Sequence, residues 1–500
     1  MKPLFIAFLA LVASFASVGT RLGTTPWRVA HYENVLGTSM EIKLIATSDE
    51  AEDRAETAAL NEIERLNRIL SGYDPDSEFS RWARTRNEAV PVSPELMEVL
   101  KLWDFWDARS HGALNPAAEA IGRTWKHSET IGKLPSEQDL ASVVEAARAP
   151  QWRLGEHSAT RLTATPVMLN SFTKSYVVER AAAAALRAPG VTAVVVNIGG
   201  DLVVRGTGSD NVSVTDPFSD AENSEPIAVL NIHDRAVATS GNYRRGFEIG
   251  GQHYSHIVDP RTGRTAEAIA AATVVAPNAV DAGALATAFC VLSPQESRDL
   301  AASVPGAEYM LVAKNGVRYV SAGWSTLQTH FLAAPIPQTK AAAAGLWKPG
   351  YELTINVEIP QTQGYGARRP YVAIWIEDKD RFPVRTLAVL YHKARWLNEL
   401  RAWYRDDRLR ATSEGTEILD SVTSATRSPG KYTFKWDGTD NTGKPVKEGV
   451  YTVLVEAARE HGGYNVVRRE LKFDGEPSEA QLPAGGELGA VTLSYHKVAR

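Results

Sequence analysis

Apolar residues recur along this chain with two different periods, and the change from one to the other divides it. Near the start, "TSMEIKLIAT" alternates Met40, Ile42 and Leu44 with polar neighbours, which predicts a half-buried strand. Ala59, Ile63, Leu66 and Leu70 then fall at three- and four-residue spacing, which predicts an amphipathic helix ending near Ser71-Gly72. A second helix is predicted at "SPELMEVLKLWDFWDARSHG", with Ser93 as its N-cap and Glu95 in its first turn. "KSYVVERAAAAALRAPG" reads as a helix closed by Pro189-Gly190, and "NAVDAGALATAFCVL" as a buried helix. "VTAVVVNIGGDLVVRG" and "FEIGGQHYSHIVDP" each read as strand, turn, strand. Helices mixed with hairpins through about Trp324 predict an α+β domain.

The texture then changes. "AAPIPQTKAAAAG" has little periodicity and marks a linker over 326–345. Beyond it, "YELTINVEI" puts Leu353, Ile355, Val357 and Ile359 on one face, and "YVAIWIED" does the same with Val372, Ile374 and Ile376. "KYTFKWDGTDNTGKPVKEGVYTVLVEA" reads as strand, turn, strand. Short alternating strands with Gly-rich turns predict a β-sandwich over 346–476, interrupted by one helix at "ARWLNELRAWYRD". The stretch 477–500, rich in Pro, Gly and Glu, reads as a tail.

Composition adds three constraints. A chain of 500 residues exceeds what one core usually holds. Basic residues number 54 against 59 acidic, with no basic stripe, which argues against a nucleic-acid partner. One cysteine, Cys290, permits no intramolecular disulfide. The N-terminus, "MKPLFIAFLALVASFASVG", has Lys2, an apolar run from Leu4 to Val12 and then small residues, with "SFA" as a cleavage site. It reads as a signal peptide over 1–19, too short to span a membrane comfortably. No cysteine sits nearby for a lipid anchor, so an exported, periplasmic protein is expected.

Eight segments of the first domain carry a more specific signal: "LGTSMEI", "SGYDPDSEFSRW", "GALNP", "LNSFTKSYVVERA", "VVNIGGDLVVRG", "ATSGNYRRGF", "HYSHIVDPRTG" and "ATVVAPNAVDAGALATAF". Each is weak alone. In this order and spacing they resemble the FAD:protein FMN transferase family (ApbE-type), over roughly Val35 to Trp324. The resemblance implies a domain over 26–325 that binds FAD and Mg²⁺ and moves FMN onto a Ser or Thr hydroxyl of an acceptor protein, releasing AMP. It also implies the site. Leu36, Tyr73, Ala113, Leu114, Asn115, Met168, Lys174 and Ile257 stand at flavin-binding positions. Lys174, Thr287 and His256 are the candidate catalytic residues. Ser171, through its carbonyl, Thr287 and Asp281 are the candidate metal ligands.

Read physically, several of these residues have two meanings. Tyr73, at a turn after a helix, offers a ring for an isoalloxazine or adenine face, or simply caps the helix. The paired glycines of "NIGGD" let a ligand approach the backbone, or make a plain hairpin turn. His256 contacts a phosphate or is satisfied structurally. Three positions depart from the family pattern. "MLNSFTKS" stands where the family has close to Asp-Leu-Gly-Gly-Ile-Ala-Lys-Gly, so Lys174 is kept and Met168 replaces an acid. "GALAT" stands where the family has Asp-Ala-Leu-Ala-Thr, so Thr287 is kept and Gly283 replaces a carboxylate. Asn115 of "GALNP" replaces an Asp. Carboxylate and hydroxyl four apart on a helix share a face and suit Mg²⁺. Asp281, two residues before Gly283, lies on a different face.

The second domain carries its own motif. "DSVTSAT", Asp420 to Thr426, resembles the acceptor motif of flavinylated proteins such as subunits of ion-pumping quinone reductases, with Thr426 as the attacked residue. A Ser/Thr-rich turn is the plainer reading. "KWDGTDNTGKPVKEGVYTV" is similar to Ig-like strands of the flagellar hook-cap type in a little-characterised exported domain. The expectation is therefore an α+β flavin-transferase-like domain followed by an all-β Ig-like sandwich. Its function is FMN transfer, onto another protein or onto Thr426 of its own chain. The alternatives are a degenerate FAD-binding protein and a flavin-carrying adaptor among membrane electron-transfer components, with covalent FMN installed elsewhere.

Overall fold

The structure, a computed structural model, describes residues 27–219, 221–241, 245–329, 345–360, 369–391, 394–414, 423–425, 429–459 and 463–498. The signal peptide expected over 1–19, most of the linker and Thr426 lie outside the described residues.

One antiparallel sheet of eight strands organises the first unit. Its strands, in spatial order, are β1 (Arg28–Val35), β2 (Thr38–Ala46), β3 (Val191–Ile198), β4 (Asp201–Gly206), β5 (Ala236–Gly241), β6 (Ile269–Ala276), β7 (Glu308–Ala313) and β8 (Arg318–Val320). The long apolar run of β3 is explained by burial on both faces. Val194 and Val196 point into the main core with the helices, while Val195 joins a second core with Val204, Val237, Val275 and Trp324.

Four helices concern the site. Helix α1 (Asp49–Leu70) begins at Ser48, whose side chain accepts from the Ala51 N–H, and buries Ala55, Ala59, Ile63, Leu66 and Leu70 along one stripe. Helix α2 (Pro94–Arg109) starts after Ser93, which caps the Leu96 N–H. Helix α3 (Asn170–Leu186) and helix α4 (Ala279–Val291) pack together against the sheet. Gly283 of α4 faces Ser175 and the Phe172 backbone of α3, so the backbones approach closely there. Helix α3 begins at Asn170, four residues before the expected start at Lys174.

The second unit is β-rich. A four-stranded sheet runs β13–β9–β17–β16 and a five-stranded sheet β12–β11–β10–β14–β15. These are β9 (Tyr351–Ile359), β10 (Tyr371–Glu377), β11 (Pro383–Tyr391), β12 (Thr423–Ala425), β13 (Gly430–Trp436), β14 (Gly449–Ala458), β15 (Tyr464–Phe473), β16 (Ser478–Leu482) and β17 (Val491–Lys497). Leu353, Ile355 and Val357 of one sheet and Val372, Ile374 and Val453 of the other share one core. One expectation is corrected here. The stretch 477–500 is not a tail: it supplies β16 and β17, and β17 pairs with β9 along its length. The Gly-rich segment 483–490 is only the connection between them. The expected helix does stand between strands, after β11 and before β12. Helix α5 (Arg401–Glu414) covers the outer face of the five-stranded sheet, where Trp403 packs with Tyr371, Trp375 and Val389. That cover explains why every residue of β10 is buried, rather than alternate ones.

The units touch at named points. The Glu222 N–H donates to the Thr433 carbonyl at 2.9 Å, and the Asn223 amide brackets the Lys435 backbone at 2.7 and 2.9 Å. The His31 ring meets the Tyr391 ring edge-on at 4.9 Å between centroids. Strand β12, the described part of "DSVTSAT", pairs in parallel with β11 and lies against β1 and β2.

Candidate active site

The site is built around the head of α3. No side chain caps this helix at Leu169, and its first turn carries no acidic residue, so its amide end presents uncompensated positive potential. Tyr73, 79% exposed, is held there by its hydroxyl, which accepts from Asn170 Nδ2 at 2.8 Å. The Met168 N–H donates to the Pro116 carbonyl at 2.9 Å and so joins the 113–116 segment to the helix head. Ala113 and Leu114 are buried. The Asn115 side chain turns inward, donating to Asp107 and Ala147 and accepting from the Ala117 N–H at 2.8 Å. It therefore organises its own turn.

One turn into α3, the Lys174 ammonium donates to the Gly199 carbonyl at 3.2 Å and lies 3.4 Å from the Asp201 carboxylate. Gly199 and Gly200 connect β3 to β4 with φ of +56° and +93°, a conformation that suits glycine. The Gly199 N–H donates to Ser39 at 3.0 Å, which seats the β1–β2 turn with Leu36 beside this connection. Asp201 opens β4 directly after this turn. It is 6% exposed and accepts from the Ser175 hydroxyl at 2.7 Å. Burial pushes its carboxyl up from the ordinary carboxylate range, and Lys174 and Ser175 pull it back. The signal that could have found it is an acid at the start of a strand, Asp201–Gly206, whose next three residues are apolar and buried.

Helix α4 forms the other wall. A Cβ on Gly283 would lie 2.1 Å from Ser175 Oγ and 3.5 Å from Phe172 Cα, so the α3 head and the first half of α4 are in contact. The Thr287 hydroxyl donates to the Gly283 carbonyl at 3.1 Å and lies 3.2 Å from Ser240 Oγ. Asp281 is directed elsewhere. Its carboxylate accepts from Asn278 Nδ2 at 2.7 Å, and burial raises its carboxyl while the Asn278 bond and Arg109 lower it. His256 is exposed, with Nδ1 3.0 Å from the Arg245 carbonyl, and Ile257 beside it is half-buried. Ser171 lies in the first turn of α3. A groove of about 590 Å³ along α2, lined by Met97, Glu98, Lys101, Phe105 and His157 among others, includes none of these residues.

Residues 36–311 match the ApbE family. This chain belongs to that family. Residues 352–490 match a second family, described as "Predicted periplasmic protein (DUF2271)". The FAD:protein FMN transferase of Klebsiella pneumoniae is 26% identical over 333 residues, 62% of this chain and 93% of the relative. That of Treponema pallidum is 27% identical over 342 residues, 63% of this chain and 92% of the relative. The crystal structure of the ApbE protein from Thermotoga maritima superposes with a TM-score of 0.54 at 24% identity, over 61% of this chain and all (100%) of its own. The apo flavinyl transferase ApbE of Pseudomonas stutzeri gives 0.51 at 22% identity, over 60% and 97%. These likenesses show an ApbE fold in the first unit.

Within that fold, the metal implied by the family resemblance has few donors. Among the described residues no three His, Cys, Asp or Glu side chains are grouped to hold a metal ion. Gly283 offers only its carbonyl, which Thr287 already uses. Asp281 on the same helix is held by Asn278, and Asp201, reached from Gly283 through Ser175, is engaged by Ser175 and Lys174. The donor set does not fit a divalent cation at Gly283. Among the described residues no helix is long and apolar enough to cross a membrane.

Proposed function

We propose that this chain is an exported FAD:protein FMN transferase that acts in the periplasm. A Thr or Ser hydroxyl attacks the flavin-side phosphorus of FAD, a new O–P bond forms, the pyrophosphate P–O bond breaks, and AMP leaves with its electron pair. The observation that carries this reading is the Lys174 ammonium beside the uncapped head of α3 and the Gly199-Gly200 turn. Exposed backbone amides, a cation and a close-approach turn are what a pyrophosphate requires. Tyr73 supplies an exposed ring for the flavin or the adenine, and Leu36 and Ile257 supply apolar contact. His256 is the candidate to accept the hydroxyl's proton, and Thr287 lines the far wall. No step is assigned to magnesium.

The acceptor is another protein or Thr426 of the same chain. "DSVTSAT" supports the second case, because a tether raises the effective concentration of the motif to roughly millimolar when it spans the gap. The second unit fits an Ig-like sandwich, supported by two sheets that share one core. Its covalent FMN would serve electron transfer to membrane components.

The test is intact mass after incubation with FAD, together with AMP release. An FMN-sized increment lost in Thr426→Ala supports transfer within the chain. No AMP and no increment on any Ser/Thr acceptor peptide, with FAD still bound, establishes the second reading, a FAD-binding protein without transfer. Gly283 in place of a carboxylate is the observation that favours that reading.

A further inference from the structure

Three groups meet where α3, α4 and the β3–β4 turn converge, and the reaction scheme uses only one of them. Ser175 donates to Asp201 at 2.7 Å, and Lys174 lies 3.4 Å from the other oxygen of the same carboxylate. The Ser175 side chain fills the volume that a side chain at 283 would need, because a Cβ there would sit 2.1 Å from Ser175 Oγ and 3.0 Å from Ser175 Cβ. Rotating the hydroxyl away would break its bond to a buried carboxylate, so the hydroxyl is not free to yield. A side chain at 283 and the Ser175 hydroxyl therefore exclude each other. Asp201 stays inside while Lys174, 29% exposed, reaches the surface over Gly199. A buried charge with a partly exposed partner fixes that partner's position, since the ammonium cannot leave without stranding the carboxylate.

We propose that Asp201 is a positioning residue: acting through Ser175 and Lys174, it holds the ammonium at the Gly-Gly turn for the FAD pyrophosphate, and FAD binds without a divalent cation. The pair Ser175 and Gly283 is the packing consequence. The chain has a hydroxyl at 175 tied to Asp201 in place of any side chain at 283. This rests on the reading of FAD as the substrate.

The experiment titrates the full chain with FAD, followed by flavin fluorescence, in EDTA and in magnesium chloride. Wild type is compared with Asp201→Asn, Lys174→Met and the double variant, each first checked for an unchanged melting temperature of the first unit. The expected dissociation constants in the two buffers agree within about twofold. Asp201→Asn changes the constant about fivefold in wild type and less than about twofold in the Lys174→Met background, because the effect passes through the ammonium. Equal effects in both backgrounds overturn the positioning role. A loss of about tenfold in EDTA overturns cation-free binding. Wild type that binds no FAD in either buffer overturns the substrate reading instead, so the two failures are distinct. Should Asp201→Asn not fold, the pair Gly283→Asp and Ser175→Gly decides. Magnesium-dependent FAD binding is expected only in the double variant, and its appearance in Gly283→Asp alone overturns the packing argument.

Discussion

Asp201 in the first unit and Glu456 in the second are both buried carboxylates, and they do different things. Glu456 is fully buried and accepts from the Ala402 and Trp403 backbone N–H groups at 2.9 and 2.8 Å. Those amides belong to the first turn of α5, so Glu456 caps that helix from a neighbouring strand. Asp201 instead faces a hydroxyl and an ammonium, and the ammonium reaches solvent. Burial is common to both. What separates them is that Glu456 takes two fixed backbone amides of a helix end, with the Tyr464 hydroxyl beside them, whereas both partners of Asp201 are side chains and one is an ammonium that meets solvent.

The comparison breaks first at Glu456. Glu456→Ala leaves two amides in a buried helix end without their acceptor, and is expected to cost about 3 kcal/mol in denaturant unfolding of the second unit, with FAD binding unchanged. A silent variant would mean that α5 does not need this cap. Next comes the wall between α3 and α4. Gly283→Ala is expected to destabilise the first unit by about 1–3 kcal/mol through overpacking against Ser175, and Ser175→Gly to recover part of that loss. Thermal melts of the single and double variants measure the coupling; additive losses would show that the two side chains do not compete for one volume.

A smaller effect sharpens the comparison through pH. Burial raises the Glu377 carboxyl, Trp375 pulls it back, and Asp406 facing it raises it further. A carboxyl whose folded value lies above its unfolded value takes up a proton on folding. Its contribution is complete in acid and is lost as pH rises through the raised value. Glu377→Gln should therefore flatten the fall in second-unit stability above the ordinary carboxylate range, by on the order of 1 kcal/mol, in unfolding curves taken across that range. An unaltered pH profile would place the titration elsewhere. Smallest for the fold is Tyr73→Ala. The ring is 79% exposed, so stability should move by less than about 0.5 kcal/mol. FAD affinity should still fall by about tenfold if the ring stacks on the ligand. Equal FAD binding would leave Tyr73 as the clasp of Asn170 alone.

Local order was legible in the sequence because it depends on neighbours a few residues apart. The stripe of α1, the Ser93 cap, the alternation in β9 and the change of period between the units were all read from spacing. The series of short motifs pointed to the family, and Lys174 and Tyr73 to the head of α3. Three matters were decided only by the tertiary structure. Strand β17 completes a sheet because β9 is there to pair with it, which the Pro- and Gly-rich approach to it hid. Helix α5 lies over a sheet whose outer face is apolar, which single-strand periodicity does not reveal when both faces are covered. The exclusion between Ser175 and Gly283, and the hold of Asp201 on Lys174, join segments far apart in the chain. Sequence spacing carries no information on volume shared between distant segments. Close packing makes that volume indivisible, so only the fold determined which side chain occupies it.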